Sequence, residues 1–192
     1  MLLITITAYV IIPLYTILFA WGTDWFSLNF SVLGNISSRK NLFLIWGIIV
    51  GTYFYYVLKQ IISRLPRNEK EKAISNSALL FLALGVLTPY LPNSQPFRSV
   101  LHVVLSFMAS VSLLICLSMI IWKLYCMNHI AYRLYLLGLA GITVLSSLLL
   151  ILTGIVSTAL EIFFILSCAM LLQKLYCKLY SPNFIPAAKD SV

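Results

Sequence analysis

Apolar residues run along this chain in six stretches, near 3–22, 43–62, 74–91, 99–122, 134–153 and 159–177. Each approaches the ~20 residues that a helix needs to cross a hydrocarbon core. Unsatisfied backbone groups exclude open strands there, so each stretch predicts a transmembrane helix. The last two divide a nearly continuous apolar run, 134–173, interrupted only by the small, polar stretch 154–158 and by Glu161. As one helix that run would extend about 60 Å, twice the hydrocarbon thickness, so a tight helical hairpin is expected. Pro89 and Pro92 predict that the third helix breaks and opens into a loop at 93–97. The expected fold class is therefore all-α: a polytopic integral membrane protein, a six-transmembrane-helix bundle forming a single domain over 1–180, with a short cytoplasmic tail at 181–192.

Composition agrees with that pattern. Hydrophobic residues make up 61% of the chain and charged residues only 9%, against about a quarter charged in ordinary soluble domains. The formal charge of +8 does not point to nucleic acid, because the basic residues lie between apolar runs and form no patch interleaved with recognition motifs. They set an orientation instead. With six spans one side collects Lys59, Arg64, Arg67, Lys70, Lys72, Lys123, Arg133, Lys174, Lys178 and Lys189, and the other only Arg39, Lys40 and Arg98. Short loops that retain positive charge stay inside, which places both termini in the cytoplasm, most simply with the bundle in the plasma membrane. The first segment has no basic n-region or clear cleavage site and is expected to remain in the mature protein. Cys116, Cys126, Cys168 and Cys177 fall within or at the cytoplasmic ends of apolar segments, where free thiols are expected.

Smaller features refine the bundle. Trp21, Trp25, Trp46 and Trp122 sit near span ends, as amphipathic rings at a headgroup region do. Gly47 and Gly51 are a small-xxx-small pair that lets a neighbouring helix approach, within the monomer or across a dimer. Lys-Leu-Tyr-Cys recurs at 123–126 and 174–177, either a recurrent interfacial anchor or a trace of helix-hairpin duplication.

Oriented this way, the outer side holds Asp24, Arg39, Lys40, Arg98, His102 and Glu161. Arg98, His102, Ser106 and Ser110 repeat every four residues and form one stripe facing the bundle interior or a wet cavity. Glu161, in the first turn of the sixth span, needs a partner at that depth, and His102 or Arg98 is the expected one. In the first outer loop Ser31, Gly34 and Asn35 can form a turn whose amides face an anion, helped by Arg39. Alternatively Phe26, Leu28, Phe30 and Leu33 pack as a hydrophobic lid. The candidate ligand-binding set is thus Asp24, Ser31, Arg39, Arg98, His102 and Glu161. No cofactor or metal is expected, since only two histidines are present, His129 lies on the opposite side, and no hydrolase, Walker or zinc motif occurs.

Ser31, Gly34, Arg39 and Phe43 after the first span, with Arg98 to His102 opening the fourth and Ala109 within it, resemble the DRAM/Sfk-type six-helix membrane proteins and the bacterial six-helix families grouped near them. The chain lacks the Pro-Glu pair that eukaryotic members carry before Phe43. The resemblance implies a six-helix fold, a membrane location and a link to lipid handling or membrane-protein support, and it implies no catalytic residue. Three functions stay open: a bundle that binds membrane lipids or another membrane protein through the outer pocket; an intramembrane hydrolase or transferase acting on lipid, with Asp24, His102 and Glu161 as acid/base groups; and a small proton-coupled transporter in which Glu161 and His102 titrate.

Overall fold

The computed structural model describes residues 1–36 and 38–181, so the tail at 182–192, with Lys189, lies outside the described residues. Every regular element among them is helical: α1 (Leu2–Phe19), α2 (Phe30–Gly34), α3 (Lys40–Ser63), α4 (Glu69–Leu87), α5 (Pro96–Met127), α6 (His129–Thr153) and α7 (Thr158–Leu179). Five of these, α1, α3, α5, α6 and α7, are long and apolar enough to cross a membrane. The other long helix, α4, opens with the charged run Glu69, Lys70, Glu71 and Lys72.

The element ends follow from local chemistry. Pro13 has no N–H to return to the preceding turn, and α1 accommodates it with a widened π turn at Thr7–Ile11, closed by the Ile12 amide on the Thr7 carbonyl. Helix α4 stops at Leu87, earlier than the apolar run suggests, because Thr88 precedes Pro89 and adopts extended backbone. Helices α5 and α6 are separated by Asn128 alone, whose side chain accepts from the Ala131 amide at 3.0 Å. The sequence suggests a loop near 123–133 there, because polar residues end the hydrophobic run before the backbone ends its helix. The expected break between the last two helices is present: Gly154 adopts φ +68° and its amide caps the Leu150 carbonyl, while Ser157 caps α7 through the Leu160 amide.

The helices form a closed ring in which α1 packs on α3, α3 on α4, α4 on α5, α5 on α6, α6 on α7, and α7 back on α1 and α3. One end of the core is aliphatic, with Leu58, Ile61, Leu117, Ile121, Leu172 and Leu175 fully buried. The other is aromatic: Phe30 meets Phe19 and Trp46 edge-on at 5.2 and 5.1 Å, and Phe43 stacks on Trp46 at 5.7 Å. Trp46 is therefore a core residue and not an interfacial anchor, its indole donating to Thr16 at 3.1 Å. Trp21 and Trp122 are exposed. Gly47 packs within the chain, since a Cβ there would lie 3.0 Å from Val86 of α4. The two Lys-Leu-Tyr-Cys copies share a buried leucine, Leu124 and Leu175, but Lys123 is ion-paired while Lys174 is exposed.

That ion pair ties the α3–α4 turn to α5. Lys123 Nζ lies 2.5 Å from Glu71 Oε1 and also donates to the Pro66 and Arg67 carbonyls at 3.1 and 3.0 Å. Arg67 sits in the left-handed region, φ 45°, a conformation that a non-glycine residue holds only when its surroundings enforce it. Glu71 is 2% exposed and its Oε2 has no hydrogen-bond partner among the described residues. Removing Lys123 would leave that carboxylate buried and unpaired. Lys123→Ala is expected to destabilise the protein by about 3 kcal/mol, and adding Glu71→Gln should recover part of the loss; thermal unfolding in detergent followed by size-exclusion fluorescence checks both.

Candidate functional site

The loop 20–39, the loop 88–95 and the α6–α7 turn meet at the aromatic end of the bundle, and the polar residues there are stitched to one another. Asn29 caps α2 by accepting from the Val32 amide at 2.8 Å, which fixes the helical turn carrying Ser31. Ser31 Oγ lies 2.5 Å from His102 Nε2, and His102 Nδ1 lies 2.8 Å from the Thr88 carbonyl. A carbonyl only accepts, so Nδ1 carries a ring proton; when the ring is neutral, Nε2 accepts and the Ser31 hydroxyl donates. His102 is 3% exposed and Tyr90 packs against its ring at 5.7 Å between centroids. Serine, imidazole and an orienting acceptor in series have the connectivity of a nucleophile, its base and the group that fixes the base.

The neighbouring contacts hold this arrangement from several sides. Asn35 Nδ2 donates to the Ser31 and Tyr90 carbonyls at 2.8 and 2.6 Å. Gly34, three residues after Ser31, admits the Phe43 ring: a Cβ there would sit 2.6 Å from a ring carbon. The Ser-x-x-Gly spacing thus joins a polar tie to a steric one. Phe30 and Leu33 insert into the core and Leu28 is partly buried, as a lid requires, while Phe26 stays exposed.

The other candidates do not gather around a shared ligand position. Glu161 pairs with neither His102 nor Arg98; its Oε2 accepts from the Phe30 amide at 2.7 Å, one residue from the Ser31–His102 contact. Beside it the Thr158 and Ala159 amides donate to the Leu28 and Trp25 carbonyls at 2.7 and 2.8 Å. Arg39 donates to the Phe19 and Trp21 carbonyls at 3.0 and 3.3 Å, so it caps the end of α1 and faces no anion-binding turn. Arg98 is exposed and donates to the Gln95 side chain at 3.1 Å. Asp24 closes its own turn, and hydrogen bonds from the Ser27 hydroxyl and the Phe26 amide hold its carboxyl below the ordinary carboxylate range. Among the described residues no three His, Cys, Asp or Glu side chains are grouped to hold a metal ion.

Two features lie outside that candidate set. Gln173, fully buried on α7, donates to Thr5 at 2.9 Å and accepts from Tyr53 at 3.3 Å, while Tyr53 also donates to the Ala169 carbonyl. A lone glutamine beside an interfacial lysine is an inconspicuous signal in sequence. The second is an apolar groove of about 420 Å³ between α3 and α4, lined by Leu44, Gly47, Gly51, Tyr55, Leu79 and Val86 among others. Gly47 and Gly51 are both in its lining, and that pair is the sequence signal that could have located it. Comparison of the chain with known protein families, with curated proteins and with solved structures finds no match.

Breaking the Ser31–His102 contact from either side should cost stability. Ser31→Ala leaves a buried ring nitrogen unpaired and is expected to destabilise by about 1 to 2 kcal/mol. A double-mutant cycle with His102→Ala should return a coupling of at least about 0.5 kcal/mol, read from thermal unfolding of the four proteins.

Proposed function

We propose that the protein is a six-span integral membrane protein, both termini cytoplasmic, that binds membrane lipid through the groove between α3 and α4. The alternation of loops between the aromatic and basic ends supports a sixth crossing by α4, whose apolar part follows its charged first turn. The ten-to-three division of basic residues supports the orientation, and a plasma-membrane location accords with it. The observation that carries the binding reading is the groove: about 420 Å³, with a mostly apolar lining that includes the exposed Ile48 and Leu87. It has the size and character of a site for part of an acyl chain. The outer polar residues support binding less well, because Arg39, Asp24 and Glu161 are committed to contacts inside the protein. The resemblance to DRAM/Sfk-type proteins adds an expectation of lipid handling.

Gly51 offers a direct test, since a Cβ there would reach only Leu82, at 3.8 Å. Gly51→Leu extends a side chain into the groove from a Cβ at ordinary contact distance to Leu82, and should lower the lipid retained by gently extracted protein several-fold in native mass spectrometry. Equal retention by wild type and variant would remove the groove from consideration.

The Ser31–His102–Thr88 series favours one second reading, acyl transfer from lipid esters. Ser31 would attack the ester carbonyl as His102 takes its proton; His102 would return that proton to the departing alcohol, and water would release the acid from Ser31. This reading expects a fluorophosphonate probe to label the wild-type protein in membranes at Ser31 and to leave Ser31→Ala unlabelled. An unlabelled wild type would assign the series to holding the loop alone.

A further inference from the structure

The groove between α3 and α4 has unequal ends, and the difference bears on which lipid it takes. Leu44, Ile48, Gly51 and Tyr55 follow one stripe of α3, and the next position on that stripe is Lys59. Lys59 is exposed, and its Nζ donates to the Tyr55 hydroxyl at 3.4 Å, so the amine is held beside a side chain that itself lines the groove. On α4 the stripe running back from Val86 through Leu79 reaches Lys72 seven residues earlier, also exposed. Lys59 lies four residues before the end of α3 and Lys72 three residues after the start of α4. At 1.5 Å per residue the two ammonium groups spring from nearly the same depth, at the basic end of the bundle. At the opposite end the stripe offers Lys40 alone, and α4 ends at Leu87 without a basic residue.

We infer that the groove selects a phospholipid with a net negative headgroup, its acyl chain lying along Leu44 to Tyr55 and its phosphate region between Lys59 and Lys72. This assignment rests on the groove's being a lipid site and adds to it the headgroup class and the leaflet, the one at the basic end. Two lysines at one depth beside an apolar channel match a ligand that is anionic at one end and apolar along its length. Lys72 also lies 3.5 Å from Glu69, an exposed contact that a phosphate can displace at small cost.

The test uses the full chain in nanodiscs containing equal amounts of phosphatidylglycerol and phosphatidylcholine, followed by extraction and native mass spectrometry of wild type, Lys59→Gln/Lys72→Gln and Gly51→Leu. Wild type is expected to retain phosphatidylglycerol over phosphatidylcholine by roughly ten-fold, and the double lysine variant to retain both about equally. Gly51→Leu should lose both lipids. Equal retention of the two lipids by wild type, with both lost in Gly51→Leu, overturns the headgroup assignment and leaves the acyl-chain groove standing. A preference that persists in the double lysine variant also overturns it, because the headgroup is then read elsewhere. If Gly51→Leu retains whatever wild type retains, the groove reading itself fails, and with it this one.

Discussion

A polar group carried into hydrocarbon has no water to fall back on, and the polar contacts that shape this bundle answer that constraint. Helical ladders satisfy the spans internally, so the demand concentrates where the backbone leaves its helix. At the aromatic end the exposed amides and carbonyls of the loop 20–39 are met by Asn29, Asn35, Arg39, Glu161 and the first turn of α7. At the basic end the carbonyls of the α3–α4 turn are met by Lys123, which is itself neutralised by Glu71. The charged residues are few, and Arg39, Glu161 and Lys123 are each spent on the backbone of a loop.

This use of charge bears on function. A pocket built to hold an anion keeps donors free, whereas Arg39 has its guanidinium on two carbonyls and Glu161 has a carboxylate oxygen on an amide. The Ser31–His102 contact joins a loop residue to α5 across 71 positions of sequence, so its first physical effect is to hold the lid against the bundle. The Thr88 carbonyl sets the proton on Nδ1 and turns Nε2 to the Ser31 hydroxyl, and one arrangement thus supports both a structural reading and the acyl-transfer reading. The groove between α3 and α4 differs in kind: Gly51 in its lining leaves room bordered only by Leu82, and it stands open with exposed apolar residues in its lining.

The sequence by itself determined what local chemistry controls. Long apolar runs admit only helices and the small, polar stretch 154–158 divides the last of them, so the helical class, the last hairpin and most helix positions were legible from composition and spacing, while the stop of α4 at Leu87 came earlier than its apolar run suggested. Ser31, His102 and Glu161 stood out for the same reason, as polar groups in apolar surroundings. Which partner each one takes was not legible. Glu161 meets the Phe30 amide and not His102, Arg39 caps α1 and not an anion, Trp46 enters the core, and Glu71 meets Lys123 from 52 positions away. Those choices depend on how each helix is rotated about its axis and how deeply it sits against its neighbours. Side-chain packing summed over the whole ring sets both, and only the tertiary structure decides them.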